Sequence, residues 1–203
     1  MDELILRTFT SGPLLNNSYL VFDPGSKVGC LIDSPWDYQE VKSFIKKEDI
    51  EITFLLLTHG HFDHIQSLSY FDCPIYIRRE DREMLENPGL NGSSIFDQPI
   101  STSKKVNFYS ERPISFSGHI VEVIPTPGHT PGSVCIKIGK WLFSGDTLFF
   151  DSIGRTDIPG ASEDKIRDSI EKKLLTLPED TLVYPGHGPK TSIGREKKQN
   201  PFL

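Results

Sequence analysis

Hydrophobic residues along this chain occur in short runs that turn-forming residues separate. Short runs rich in Val, Ile, Leu and Phe, bounded by Gly, Pro, Asn or Asp, are typical of β-strands. The pattern predicts strands at 4–9, 18–22, 29–32, 52–57, 74–77, 106–109, 114–116, 119–124, 133–138, 141–143 and 181–184.

Two longer segments follow the helical period of three to four residues instead. In residues 37–47, the side chains of Val41, Phe44 and Ile45 form one apolar face. A second helix is expected to begin after Ser162, a residue type that favours the N-cap position. Shorter helices are predicted at 65–71 and 81–86.

Both halves of the chain place strands before a helix, which predicts two sheets packed together with helices outside them. The expected fold class is therefore α/β, as a four-layer α/β/β/α sandwich. The length of 203 residues suits one domain over 1–203. Residues 87–105, rich in Asn, Gly and Ser, predict an irregular loop. This loop either shapes a substrate site or is a plain surface excursion.

Composition and charge narrow the functional classes. The formal net charge is −6, which disfavours nucleic acid as a partner because proteins that bind phosphate backbones are usually basic. No run is long enough to predict a membrane span, and the acidic N-terminus lacks the features of a signal peptide. Three scattered cysteines show no metal or redox spacing. These features predict a cytoplasmic protein that does not bind nucleic acid, and they leave the oligomeric state open.

Histidine and aspartate residues recur at the ends of the predicted strands. Four lie within six positions in Thr-His-Gly-His-Phe-Asp-His, and three more follow later apolar runs. The carboxyl ends of neighbouring strands meet at one edge of a sheet, so these side chains should lie together. Imidazole and carboxylate are common ligands of divalent metals. The predicted metal ligands are His59, His61, Asp63, His64, His129, Asp146 and His187.

Seven ligands are enough for two metal ions. One ion would use the three histidines His59, His61 and His129, and the other would use Asp63, His64 and His187. Asp146 could bridge the two, since paired metals lie roughly 3.5–4 Å apart. We expect zinc, with iron and manganese as alternatives. Such ions generate hydroxide from bound water near neutral pH and polarise carbonyl groups.

The ligand pattern resembles that of the metallo-β-lactamase superfamily over nearly the whole chain. The resemblance rests on His-x-His-x-Asp-His followed by a later histidine, aspartate and histidine. It implies an αβ/βα sandwich with metals at one edge of the paired sheets. A flavodiiron-type member would carry Glu at the position of His61, which disfavours oxygen reduction.

Four further segments resemble the glyoxalase II, or hydroxyacylglutathione hydrolase, group, particularly its short form. They are Gly-Asp-Thr-Leu-Phe (145–149), Gly-Arg-Thr-Asp (154–157), Tyr-Pro-Gly-His-Gly (184–188) and the segment 194–203. The resemblance implies a hydrolase in which a metal-bound hydroxide cleaves a thioester such as S-lactoylglutathione. The sequence stops where longer members continue into a helical segment that binds glutathione. Thioester hydrolysis is thus implied more firmly than glutathione as the thiol.

Gly-Arg-Thr-Asp also resembles persulfide dioxygenase, a mononuclear iron enzyme of the same superfamily. There, the residues equivalent to His59, His129 and Asp146 would hold the iron. The segment around His187, Pro-Gly-His-Gly-Pro, resembles the hydrolases more closely, so we favour hydrolysis. A non-enzymatic binding protein is a third class, which the intact ligand set disfavours.

Roles beyond metal binding are predicted for a few residues. Asp63 and Asp146 would be catalytic through the metals, and Asp33 could accept a hydrogen bond from a ligand histidine. Asp33 could equally be a plain turn residue. Arg155 is expected to bind a negative group of the substrate, with a surface ion pair as the alternative. The remaining histidine, His119, opens a strand instead of following one and is interpreted as structural. Lys190, Arg195, Lys197 and Lys198 could also bind a substrate carboxylate, but a solvated basic tail is the favoured interpretation.

Overall fold

The structure is a computed structural model that describes residues 3–97, 99–110 and 113–203. Within these residues, the strands form two sheets of six strands and a small hairpin. Across the first sheet the order is β1 (Ile5–Ser11), β2 (Asn16–Phe22), β3 (Val28–Ile32), β4 (Glu51–Leu56), β5 (Ile75–Ile77) and β6 (Asn107–Phe108). The chain then enters β7 (Ile114–Phe116), β8 (His119–Pro125), β9 (Val134–Ile138), β10 (Trp141–Gly145), the hairpin β11 (Leu148–Phe149) and β12 (Ser152–Ile153), β13 (Leu182–Pro185) and β14 (Thr191–Ser192). The second sheet has the order β14-β13-β10-β9-β8-β7.

Five α-helices connect or follow these strands in the described residues. They are α1 (Tyr38–Glu48), α2 (Phe62–Ile65), α3 (Pro88–Asn91), α4 (Glu163–Ser169) and α5 (Ile193–Gln199). Turns of 3-10 helix lie at Leu68–Tyr70, Arg79–Leu85 and Ser93–Ile95, and a π-helical turn, Ile170–Leu174, continues α4. As predicted, Ser162 caps its helix and accepts a hydrogen bond from the Lys165 amide. None of the helices in the described ranges is long and apolar enough to cross a bilayer.

The side chains of β2 show how the layers are built, because all seven of its residues are buried. Leu20 and Phe22 pack in the cluster beneath α1, which buries Val41 there. Tyr19 and Val21 alternate with them and pack in the cluster between the two sheets. Helix α4 and its π-helical turn cover the other face of the second sheet. The four-layer αβ/βα sandwich predicted from the sequence is therefore confirmed.

The segment after the His-rich motif differs from its prediction. Instead of one helix at 65–71, α2 already begins at Phe62 and ends at Ile65. The Ser34 amide donates to the His64 carbonyl, and the Ser67 amide donates to the Ser34 hydroxyl. These contacts use groups that a continuous helix would need, so a separate 3-10 turn follows.

Residues 87–105 are less irregular than expected. Within this segment α3 begins at Pro88, and the Asn87 side chain accepts hydrogen bonds from the first backbone amides of the helix. A 3-10 turn follows at Ser93–Ile95, while residue 98 lies outside the described residues. The helix predicted at 81–86 is a 3-10 helix that begins earlier, at Arg79. The short strands β11, β12 and β14 and the helix α5 were not predicted, because segments this short carry little periodicity.

Candidate metal centre

Five of the predicted ligands lie in loops at the ends of strands, whereas Asp63 and His64 lie in the short helix α2 that follows β4. His59 follows β4, Asp146 follows β10 directly, and His187 lies two residues beyond the end of β13. His129 lies in the turn between β8 and β9. These loops meet at one edge of the sandwich, and all seven predicted side chains are close together there.

Three histidines form the first set of donors, which we call the imidazole group. It contains His59, His61 and His129, whose donor nitrogens lie within 4.8 Å of one another. The Nδ1 of His61 is 2.9 Å from the Nε2 of His129. Three converging imidazoles are a common protein contribution to a zinc site.

Two histidines and a carboxylate form the second set, which we call the mixed group. It contains Asp63, His64 and His187, and its donor atoms also lie within 4.8 Å of one another. The Nε2 of His187 is 3.1 Å from Oδ2 of Asp63. The Nε2 of His64 is 3.7 Å from the same oxygen.

Asp146 lies between the two groups. Its Oδ1 is 3.4 Å from the Nε2 of His64. Its Oδ2 is 3.5 Å from the Nε2 of His129 and 3.5 Å from that of His187. One carboxylate thus faces histidines of both groups, which is the position that a bridging ligand needs.

Buried donor atoms without partners indicate that this cluster fits metal ions. The Nε2 atoms of His59 and His64 and the Oδ1 of Asp146 are buried and have no hydrogen bond. A buried polar atom without a partner costs free energy, so such atoms normally have an explanation. All three belong to one group of potential ligands, and a divalent ion would satisfy them. The cluster as a whole fits two ions.

Two histidines of the imidazole group, His59 and His61, favour the neutral, metal-binding form. Burial lowers the pKa of His59 well below its usual value, and the neighbouring His64 lowers it further. Burial, followed by the neighbouring His129, lowers the pKa of His61 to about 3. Neutral imidazole has a free nitrogen lone pair, so these two side chains are ready to bind a metal.

The mixed group has the opposite electrostatic character. Burial acts to lower the pKa of His64, but the carboxylates of Asp33, Asp63 and Asp146 more than offset it, so this pKa is raised well above its usual value. The pKa of His187 is also raised, because its contacts with Asp63 and Asp146 outweigh burial. Burial alone would raise the pKa of Asp146, but His64, His129 and His59 hold it well below its usual range.

Each of four histidines places its second ring nitrogen near a partner. Nδ1 of His64 lies 2.8 Å from Oδ2 of Asp33, which also accepts a hydrogen bond from the Thr58 hydroxyl. Nδ1 of His129 lies 3.0 Å from the carbonyl oxygen of Arg155. For His187 the partner is the Leu14 carbonyl, and for His59 it is the Thr58 hydroxyl. Such contacts fix ring orientation in metal sites.

Asp81 is a site residue that the sequence reasoning missed. Its carboxylate is fully buried and accepts hydrogen bonds from the amides of Gly60 and Gly132 and from the Thr130 hydroxyl. It therefore ties the loop of His59 and His61 to the loop of His129. A lone aspartate in a predicted helix gives no signal for such a role.

Polar residues of β2 hold the loop that carries His187. The Asn17 side chain donates to the Pro185 and Gly188 carbonyls, and the Tyr19 hydroxyl donates to the Pro185 carbonyl. A Cβ atom at Gly186 would lie 2.2 Å from Oδ1 of Asp146, so only glycine allows this approach. The polar run Asn16-Asn17-Ser18 beside an apolar strand was a signal that could have indicated this contact.

A cavity of about 630 Å³ opens over the cluster. Its floor includes His61, Asp63, His129, Asp146 and His187. Its walls are mainly apolar and include Leu14, Phe62, Phe96, Phe149, Ile153 and Ile158. Catalytic clefts commonly have this arrangement of few polar groups on an apolar surface.

Arg155, predicted to bind substrate, lines this cavity but is already paired. Its Nε and Nη2 atoms donate to the two carboxylate oxygens of Asp157, at 2.7 and 2.8 Å. The basic residues near the C-terminus are not among the described residues that line the cavity. Arg195 forms an ion pair with Asp151, and Lys198 forms one with Glu179. His119 lies in β8, with its ring 6.0 Å from that of Phe116.

Comparison with known families agrees with this geometry. The family model described as the metallo-beta-lactamase superfamily matches residues 11–187. The chain therefore belongs to the metallo-β-lactamase superfamily. A Bacillus subtilis protein described as the probable metallo-hydrolase YqgX is 36% identical and aligns over 97% of this chain and 96% of its own. Hydroxyacylglutathione hydrolase GloC of Haemophilus influenzae is 33% identical, with 92% of each chain covered.

Solved structures are similar over almost the whole chain. The B3 metallo-β-lactamase BLEG-1 has a TM-score of 0.92 and 38% identity, with 98% of this chain and 99% of that one covered. TTHA1623 in a di-iron-bound form has a TM-score of 0.84 and 34% identity, covering 97% and 100%. ETHE1 from Myxococcus xanthus has a TM-score of 0.76 and 27% identity, covering 97% and 83%. The protein is thus a metal-dependent enzyme of the hydrolase type.

Proposed function

We propose that this protein is a two-metal hydrolase that cleaves thioesters. The observation that carries the proposal is the composition of the cavity lining. Among the described residues that line it, every histidine and aspartate belongs to the proposed ligand set. No other described side chain in the lining can act as a general acid, because the guanidinium of Arg155 does not release its proton in proteins.

This lack of a general acid favours a good leaving group. A thiol has a pKa near about 8.5 and can depart as the thiolate, whereas an amine must be protonated as it leaves. When bound, the two ions would supply a nucleophilic hydroxide at neutral pH and stabilise negative charge on the carbonyl oxygen.

The chain's own residues would hold and orient these ions. His59, His61 and His129 would bind one ion, and the mixed group would bind the other. Asp146 would bridge them, and with Asp63 it would supply the negative charge of the ligand set. Asp33 and the Arg155 carbonyl would fix the rings of His64 and His129 through their Nδ1 atoms.

Two relatives indicate which substrates to test first. The name of GloC makes S-lactoylglutathione the first thioester, and that of BLEG-1 makes a β-lactam the amide to compare with it. Zinc is our first choice of metal, and the di-iron form of TTHA1623 makes iron the second.

The test is the release of free thiol from a panel of acyl-thioesters by protein of measured metal content. We expect turnover that requires metal, is lost with a chelator and returns when zinc, iron or manganese is restored. The matched control is Asp180→Ala, which removes an exposed carboxylate outside the cluster. If protein loaded with each metal in turn cleaved none of the thioesters, the proposal would be wrong.

A sulfur dioxygenase is the second candidate, and similarity to ETHE1 supports it. It would need one iron on His59, His129 and Asp146. Oxygen consumption with glutathione persulfide measures this reaction directly. Consumption by protein with one iron per chain, combined with no thioester cleavage, would replace the hydrolase proposal.

A further inference from the structure

The wall of the cavity above the metal cluster includes exposed apolar side chains. Ile95 is 82% exposed, Leu14 is 51% exposed and Phe96 is 37% exposed, and all three line the cavity. Phe96 packs on Phe62, with ring centroids 5.0 Å apart, and Phe62 packs in turn on Trp36. This apolar wall, defined by Leu14, Phe62, Ile95 and Phe96, begins at the residues that flank the metal ligands.

The segment that presents this wall is fixed by its own polar groups. The Asn91 side chain donates to the Met84 and Ile100 carbonyls and accepts from the Ser93 amide. The Ser93 hydroxyl also bonds with the backbone of Ile100. Asn91 is the one amide side chain among the described lining residues, and these contacts occupy it. The wall therefore offers a ligand apolar contact and few hydrogen bonds.

Unpaired arginine and lysine side chains are also lacking. Arg155 is the one arginine or lysine among the described residues that line the cavity, and Asp157 accepts two hydrogen bonds from its guanidinium. The net charge of this pair is zero, and the pair is exposed. An anionic group on a substrate would therefore meet a guanidinium whose charge Asp157 already balances. Glutathione carries two carboxylates, for which the described lining offers no unpaired arginine or lysine.

We propose that the natural substrate is a thioester with an apolar group of several carbons beside the reacting carbonyl, and with no anionic group in the cavity. This inference rests on the proposed thioester hydrolysis. The apolar group packs on Phe96 and Ile95 while the carbonyl lies at the metal cluster. Either the acyl half or the thiol half can carry it, and the test distinguishes the two.

The first experiment compares thioesters that differ in one half at a time. Acetyl and hexanoyl thioesters of N-acetylcysteamine vary the acyl half, and acetyl thioesters of glutathione, N-acetylcysteamine and hexanethiol vary the thiol half. Each fully buried methylene is worth about fourfold in affinity. Because the cavity is open, we expect kcat/KM to rise at least about tenfold for the half that binds the wall.

The second experiment assigns this preference to the wall. Phe96→Ala should reduce the preference for the longer group by at least about threefold, because it removes apolar contact area. The matched control is Ile120→Ala, which shortens an exposed apolar side chain on β8 that does not line the cavity. Asp157→Asn should release Arg155 and lower KM for the glutathione thioester, with less effect on the neutral thioester.

A binding measurement separates this inference from the proposed function. Stable thioethers, S-hexyl-N-acetylcysteamine and S-methylglutathione, are titrated into metal-loaded protein and followed by calorimetry. We expect the hexyl compound to bind at least about tenfold more tightly than the glutathione compound, and Phe96→Ala to weaken binding of the hexyl compound.

The outcomes of these measurements separate the two claims. Equal binding of the two compounds, or tighter binding of the glutathione compound, overturns the inference even if thioesters are cleaved. A change of oligomeric state in Phe96→Ala with unchanged selectivity also overturns it, since the wall would then be a contact between chains. If no thioester is cleaved but the hexyl compound still binds more tightly, the result contradicts the proposed function and leaves the apolar binding preference standing.

Discussion

The imidazole group and the mixed group lie side by side at one edge of the sandwich, yet His59 and His61 of the first differ in pKa from both histidines of the second. Burial and histidine neighbours lower the pKa of His59 and His61. Carboxylate neighbours raise the pKa of His64 and His187 despite burial. His59 and His61 are therefore neutral and ready to bind a metal, whereas a proton competes with the metal for the imidazoles of the mixed group. Asp146 contacts both groups and should make their occupancies interdependent.

Removing Asp146 should have the largest effect, because it would disrupt both groups at once. We expect Asp146→Ala to lower the metal content of both groups and to reduce thioester turnover by more than about a hundredfold. This loss is larger than the roughly 10- to 100-fold typical when a residue that only orients a metal ligand is removed. Elemental analysis and steady-state kinetics measure the two effects, with Asp180→Ala as the surface control. A variant with two ions and full activity would show that Asp146 does not bridge.

Single-ligand variants should separate the two groups. We expect Asp63→Ala to leave about one ion per chain, held by the imidazole group, and His61→Ala to deplete the imidazole group instead. Metal content after dialysis at a fixed free concentration gives the count. Occupancy by cobalt(II), whose spectrum depends on its ligands, distinguishes which group is filled. Identical spectra for the two variants would argue against two separate groups.

Asp33 should matter mainly for the mixed group. Its Oδ2 lies 2.8 Å from Nδ1 of His64, so Asp33→Asn weakens the contact that orients this ring. Loss of such a partner typically costs 10- to 100-fold in metal affinity, roughly the effect we expect here. Competitive titration with a metal indicator measures it. A loss that fell equally on both groups would indicate a general folding defect instead.

The pH dependence of metal binding should be smaller but directional. In the metal-free protein the raised pKa of His64 keeps a proton on the ring at neutral pH, and a metal must displace it. The affinity of the mixed group should therefore rise with pH, by about tenfold per pH unit for each proton released. The imidazole group should respond less, because the pKa of His61 is about 3. Calorimetry on His61→Ala and Asp63→Ala in buffers of different ionisation enthalpy counts the protons. Equal proton release by the two variants would contradict the comparison.

Local sequence patterns were sufficient to predict the four layers of the fold and to identify the candidate metal ligands. Strands and α1 have periodic apolar positions, and a histidine or aspartate after an apolar run is visible without a structure. The early start of α2 was not predicted, because it depends on Ser34, which is distant in the sequence. Asp81 was missed for the same reason, since its partners lie on two other loops. The pairing of Arg155 with Asp157 spans two residues and matches the surface ion pair that the sequence offered as the alternative role of Arg155.

The central claim is that two metals cleave a thioester without a separate general acid, and leaving-group dependence tests it most directly. The measurement is kcat/KM for a matched pair, a hexanoyl thioester and the corresponding hexanoyl amide, with protein of counted metal content. Because a thiolate leaves unprotonated and an amine does not, the account predicts that the thioester is cleaved faster by at least about a hundredfold, the low end of what general acid catalysis contributes. The uncatalysed rates of the same pair serve as the reference. Enzymatic rates that are comparable for the amide and the thioester would contradict the account and favour an amide-cleaving enzyme.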